Sequence, residues 1–145
     1  MLKCEQLESV DSFLDLDGQE MERIRTYLVS ARYRGGETIF SEGDPGNAVY
    51  FILSGSAQVF RRTDRGTRRL LSRIRSSQVL GEMALLDGGP RSATATALGE
   101  THLAVLTRDS FHQLLETDPK VASLLLRRIA RMLSLRLRQA NAMIS

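Results

Sequence analysis

The sequence predicts a mainly β domain, a sandwich, jelly roll or barrel of short strands held between helical ends. Three observations predict it. Six short β-prone runs lie between about residues 30 and 107, each bounded by turn residues. A helical pattern with its own cap precedes them, and two capped helical segments follow. At 145 residues the chain suits one domain with a core that needs no staples.

Taken in order, residues 5–29 read as helical. Asp17 with Glu20 makes a capping-box start, and Met21, Ile24 and Leu28 form one apolar stripe. The β region follows as "ETIF", "AVYFILSG", "SAQVFR", "RRLLSRI", "SATATA" and "HLAVLT". Its punctuation is Gly35-Gly36, the run from Gly43 to Asn47, Gly55, Asp64-Arg65-Gly66 and Gly99. Met83 to Leu86 interrupts the pattern and reads as a single helical turn. Thr107 caps a helix through about Glu116, with Phe111, Leu114 and Leu115 facing inward. Asp118-Pro119 then starts a long helix that runs to about Ala142. The chain is thus one domain over residues 1–145, with closing helices from 108 onward.

Composition excludes several classes. A hydrophobic share of 42% with 26% charge reads as soluble and globular. There is no apolar run long enough for a membrane span and no leader-like start. A single cysteine, Cys4, fits a reducing compartment, and a cytoplasmic location is expected. The net charge of +3 is uneven: Pro119 to Ser145 holds six bases and no acid, and the other residues hold 14 bases against 17 acids. This reading assigns the basic character to the last helix. Two histidines, His102 at a strand edge and His112 on a solvent-facing helix side, are too few and too far apart for a cupin-type metal site. No nucleophile-elbow pattern is present, so neither a metal nor a catalytic role is expected.

The chemistry concentrates in "GEMALLDGGPRSATATA", Gly81 to Ala97. Gly81 permits close backbone approach. A helical turn after it would present amides to an anion, and Arg91 and Ser92 would add a guanidinium fork and a hydroxyl. Glu82 would repel that anion, so it would accept from a neighbouring group such as a sugar hydroxyl. A second reading stands beside this one: Glu82 and Arg91 are a salt bridge closing a surface hairpin.

The stretch resembles the phosphate-binding cassette of cyclic nucleotide-binding domains, the fold of bacterial catabolite activators, kinase regulatory subunits and cyclic nucleotide-gated channels. The resemblance rests on G-E-x-A-L followed by P-R-[small]-A and extends over nearly the whole chain. It implies an eight-stranded β-roll with the cassette at 81–92 and a cyclic nucleotide ligand. By resemblance, Glu82 would take the ribose 2′-hydroxyl and Arg91 the exocyclic phosphate oxygens. Ser92 and the amides of Met83 and Ala84 would complete the phosphate cradle beside Gly81, and Val59 and Leu71 would pack on the purine. Serine after the cassette arginine is common among cyclic AMP binders, so cyclic AMP is favoured over cyclic GMP. Two departures are visible: Ser77 stands in a turn where the family usually has glycine, and Leu80 where phenylalanine is common.

On a helical wheel of the last helix, Arg127, Arg128, Arg131 and Arg138 form a solvated face. Val121, Ala122, Leu125, Leu126, Ile129, Met132, Leu133, Leu137, Ala140 and Ile144 fill the opposite arc. Arg136 lands inside that apolar arc. Three readings compete: its stem snorkels to solvent, it pairs with an acid of a partner chain, or it lies over the bound purine. The resemblance favours the last, because lid residues come from this part of the helix.

The expected function is a cyclic nucleotide sensor, not an enzyme. The ligand would pin the cassette, the apolar turn at Leu85 and Leu86 would repack against the helices after Thr107, and the last helix would close over the base. The same helix is expected to support a homodimer, with a protein effector as a further partner. No helix-turn-helix segment remains before Ser145, so the chain reads as a free-standing sensor, a subunit, or a piece of a larger protein. The rival reading is an interaction module on the same roll that no longer binds nucleotide.

Overall fold

The computed structural model describes residues 1–144. The side chains of Met143 and Ile144, the latter assigned above to the apolar arc, and all of Ser145 lie outside the described residues.

The N-terminal helical part is divided. A short helix α1 (Cys4–Leu7), a 3₁₀ turn (Asp11–Phe13) and a helix α2 (Gly18–Arg25) replace one continuous element. The fully buried residues Leu7, Val10 and Phe13 step by three, a spacing that suits tight turns better than an α-helix. The Asp17–Glu20 capping box is formed, with the Glu20 amide donating to Asp17 Oδ1 at 2.8 Å and the Asp17 amide donating to Glu20 Oε1 at 2.9 Å. The helix ends at Arg25, and residue 29 already belongs to a strand.

Eight strands follow: β1 (Val29–Tyr33), β2 (Thr38–Phe40), β3 (Ala48–Ser54), β4 (Ser56–Arg62), β5 (Arg68–Arg75), β6 (Val79–Leu80), β7 (Thr94–Ala97) and β8 (Thr101–Thr107). The six runs read from sequence are all strands. β1 and β6 were not separated as runs: the first is a largely exposed edge strand and the second has only two residues. The strands form two four-stranded sheets, ordered β1-β8-β3-β6 and β2-β7-β4-β5, with antiparallel pairing throughout. The helical turn α3 (Met83–Leu86) sits between β6 and β7. α4 (Arg108–Thr117) and α5 (Pro119–Ile144) close the chain.

Alternation along the strands of the first sheet explains its position. Val49, Phe51, Ala104 and Leu106 face the helices and join Leu7, Phe13, Phe111, Leu125 and Ile129 in the larger core. Phe13 packs on Phe51 with ring centroids 4.7 Å apart. Ile52 and Leu103 face the other way, toward the roll interior, with Ile39, Ile74 and Ala95 of the second sheet. Both faces of the first sheet are therefore buried, which is why "AVYFILSG" reads as a nearly unbroken apolar run.

Several expectations need correction. Leu115 is exposed, so α4 packs through Phe111 and Leu114 alone. His102 is not at an edge: β8 lies between β1 and β3, and the ring is buried, bonded to Ser30 Oγ at 2.7 Å. Burial pushes its pKa below the ordinary histidine value, helped by the Arg32 charge. Arg128 is not simply solvated, because its Nε donates to Asp15 Oδ2 at 3.1 Å and ties α5 to the N-terminal segment. Nor is the basic character confined to the last helix. Residues 61–75, the β4–β5 hairpin, hold seven arginines and one acid.

Ser77, the residue standing where the family usually has glycine, has φ +76°, the left-handed region that L side chains occupy at a cost. Its amide donates to Ile52 O at 2.8 Å and its carbonyl accepts from the Asp11 amide at 2.9 Å. Those two bonds hold the turn in place where β5 of one sheet leads to β6 of the other.

Candidate functional site

The cassette is positioned by its neighbours before its chemistry matters. The Arg91 amide donates to Asp44 O and the Gly43 amide to Arg91 O, both at 2.8 Å. The Pro45–Pro90 bridge adds to this seam. Behind it, the Arg108 guanidinium presses on the backbone at Gly88, where a Cβ would collide with it. The Arg108 amide donates to Asn47 O at 2.8 Å. The start of α4 is thereby in contact with the cassette tip.

Between the cassette, the inner face of the second sheet and α5 lies a cavity of about 350 Å³. That volume is at the small end of the range for ligand sites, about 300–1,000 Å³. Phe40, Val59, Ile74 and Leu80 supply an apolar wall, and Gly81, Glu82, Arg91, Ser92 and Arg136 supply the polar rim.

Arg91 is 7% exposed, and its fork is held by carbonyls: Nη1 donates to Gly81 O at 3.1 Å and Nη2 to Ala48 O at 2.7 Å. The guanidinium carbon lies 4.2 Å from the Phe40 ring centroid. Its Nε is buried without a hydrogen-bond partner, and among the described residues no carboxylate forms an ion pair with it. Burial pushes its pKa below the ordinary arginine value, outweighing the opposing influence of Tyr50, Asp44 and Glu82. A buried cation with an orphaned donor is costly unless an anion arrives. Gly81 makes room for this arrangement: at φ +76°, an added Cβ would stand 2.5 Å from Arg91 Nη1 and 3.3 Å from Phe40.

Glu82 is also buried, at 8% exposure. It does not pair with Arg91, so the surface salt-bridge reading falls. Its Oε1 accepts from Arg136 Nη1 at 3.1 Å. The cation inside the apolar arc of α5 therefore finds an acid in its own chain, 54 residues away. Sequence reasoning missed this partner, since no local pattern links the two positions.

The other expected residues divide. Val59, Met83, Ala84 and Ser92 line the cavity. The Ala84 amide is already engaged, donating to Gly81 O at 3.2 Å. Leu71 is not among the lining residues and is 47% exposed. The register explains why: Val59 pairs with Ser72 and the next residue, Phe60, with Leu70, so Leu71 is the extra residue of a bulge. Ser72 and Ile74 take the wall position instead. Among the described residues no cluster of metal-ligating side chains occurs, and no helix is long and apolar enough to cross a membrane.

Residues 30–118 match the family profile of the cyclic nucleotide-binding domain. A CRP-like cAMP-activated global transcriptional regulator of Mycobacterium tuberculosis is 36% identical over 106 residues, 73% of this chain and 46% of that protein. A cAMP-dependent protein kinase regulatory subunit of Aspergillus niger is 38% identical over 109 residues, 75% of this chain and 26% of that one. The crystal structure of a cyclic nucleotide-binding domain from Methylobacillus flagellatus superposes with a TM-score of 0.85 at 29% identity, covering 97% of this chain and 79% of that one. The chain spans about half or less of the length of these two curated relatives.

Proposed function

The chain belongs to the cyclic nucleotide-binding domain family, and on that premise we propose that it is a sensor whose cavity takes cyclic AMP and couples its arrival to α5. The observation that carries the reading is Arg91, a buried cation with an unpartnered Nε at the rim of a cavity of suitable size. A cyclic phosphate supplies the missing anion. Its charge-assisted bonds to the guanidinium, with Ser92 and the Met83 amide alongside, gain strength from the low local dielectric. The purine lies on the wall of Val59, Ser72 and Ile74. Cyclic AMP is favoured over cyclic GMP by Ser92, and the curated relatives described above are named for cyclic AMP.

The coupling runs through Glu82. Its carboxylate is held by Arg136. A ribose hydroxyl at Glu82 competes for that oxygen, which frees Arg136 to swing over the base as a lid. The shift is limited to the ligand's differential affinity for the two arrangements. The cassette is already in contact with α4 through Arg108 and Gly88 and buries Leu85 in the larger core, whereas Leu86 is exposed and available to repack. In the C-terminal half of α5, Leu137, within the apolar arc, is 62% exposed, and we assign this side of the helix to a second copy of the chain.

Isothermal calorimetry with cyclic AMP and cyclic GMP tests the reading. Saturable heat with cyclic AMP, weaker with cyclic GMP, is the expected result. Absence of heat and of any thermal shift with either nucleotide at millimolar concentration would replace the sensor with an interaction module. Sedimentation equilibrium tests the second copy, and a monomer at every accessible concentration refutes it.

A further inference from the structure

The β4–β5 hairpin carries seven arginines at positions 61, 62, 65, 68, 69, 73 and 75, with Asp64 as its one acid. All seven are exposed, and none forms an ion pair among the described residues. The register places Arg62 directly opposite Arg68, and Arg61 directly opposite Arg69. Like charges facing each other across a ladder are unfavourable. Two such pairs in succession are unfavourable twice over. Arginines on an edge strand have an ordinary use, since charge there blocks pairing with other chains. That accounts for β5, the edge of its sheet. β7 pairs with β4 only as far as Phe60, so Arg61 and Arg62 lie where the hairpin runs on past the sheet as a two-stranded ribbon.

The pairs also lie on opposite faces. Arg62 and Arg68 share the outer face with Phe60, and the Arg68 guanidinium sits 4.4 Å from that ring's centroid. Arg61 and Arg69 share the other face, in line with Val59 and Ser72 but beyond the cavity. Arg65 occupies the turn between the strands. The ribbon is thus positively charged on both faces and at its tip. A planar anionic surface meets only one of these faces, and a single acidic peptide strand along the β5 edge meets one rim. A two-stranded ribbon fits the major groove of a DNA duplex, where phosphates flank it on both sides. Guanidinium forks, used here without a single lysine, match phosphate oxygens in pairs.

We propose that the β4–β5 hairpin is a docking surface for duplex DNA, separate from the nucleotide cavity. Thr63 and Thr67, flanking the turn, bond to each other at 2.6 Å, and the segment from 61 to 69 contains no Asn or Gln to read base edges. Phosphate contacts carry most of the affinity, while the same arginine forks are able to reach guanine edges in the groove.

Fluorescence anisotropy with a labelled mixed-sequence DNA duplex tests this on the whole chain. Wild type should bind with a dissociation constant of about 10⁻⁴–10⁻⁶ M at physiological salt. Each phosphate contact removed should lower the salt slope by about 0.9. Two double variants, Arg61→Ala with Arg69→Ala and Arg62→Ala with Arg68→Ala, should each weaken binding, and the two together should cost at least about tenfold. Triple replacement of Arg127, Arg131 and Arg138 by Ala on α5 should leave the slope unchanged. Circular dichroism and an unchanged melting temperature establish that each variant is folded; because the four hairpin side chains are exposed, the fold is expected to survive. Should either alanine pair unfold, the matching Arg→Gln pair carries the same expectation. The proposal is overturned if the duplex does not bind or if neither hairpin pair alters affinity. It is equally overturned if only one face matters while phosphatidylserine vesicles or polyglutamate bind more tightly than the duplex.

Discussion

The two sheets of the roll are built from strands of similar length, yet they bury different things. The first, β1-β8-β3-β6, is packed on one side by helices and on the other by the roll interior, so its central strands hold Val49, Phe51, Ile52, Leu103 and Leu106 with no measurable exposure. The second, β2-β7-β4-β5, turns one face to the interior and the cavity, and sends Gln58, Arg62, Arg68 and Thr94 to the other. Close packing makes the first sheet intolerant of lost volume. The second supports a cavity and an arginine hairpin because fewer of its side chains are needed for cohesion. The difference teaches that stability and recognition in this chain are carried by different layers.

The largest effect should come from the first layer. Phe51→Ala removes a ring packed on Phe13 and should cost about 3–5 kcal/mol of stability. Urea unfolding would measure it, and a small change there would break the division between layers. Next, Arg91→Ala should remove about 2–5 kcal/mol of nucleotide affinity by calorimetry. It should leave the unliganded melting temperature little changed, since an unpaired buried charge leaves with it. A collapse of the fold in that variant would make Arg91 structural.

The turn joining the layers should respond in the opposite direction. Ser77→Gly relieves a left-handed serine, worth about 1–2 kcal/mol. It adds backbone freedom to the unfolded chain, costing about 0.5–1 kcal/mol. A net gain of about 0–1.5 kcal/mol by thermal unfolding is expected. Smaller still is the Glu82–Arg136 pair, whose arginine side chain is 39% exposed; a double-mutant cycle on unliganded stability should give less than about 1 kcal/mol. The same cycle on nucleotide affinity should give a larger coupling if Arg136 is a lid.

The last prediction concerns pH. Because the His102 pKa is depressed by folding, the unfolded chain binds the proton first. Its contribution is therefore full above the ordinary value of 6.5 and is lost as pH falls below it. The melting-temperature gap between wild type and His102→Gln should narrow on acidification, and a constant gap would count against this assignment.

Much of the architecture was legible in the chain because it is written locally. The Asp17 and Thr107 caps, the Asp118-Pro119 restart, six of the eight strands and the helical turn at Met83–Leu86 each follow from spacing and turn chemistry within a few residues. The two strands that were not separated lacked that local signal, one being exposed and the other too short. The hairpin arginines were equally visible, but a charge count over 118 residues averaged them against distant acids.

By itself, then, the sequence determined the β-roll between helices, the cassette motif and its pair of opposite charges. Only the tertiary structure decided which charges meet. Arg91 was turned toward carbonyls and a cavity, Glu82 toward Arg136, and the departure at Ser77 proved to be a left-handed residue. The physical reason is range: caps and alternation act between near neighbours, whereas the pairing of buried charges depends on segments brought together from across the chain.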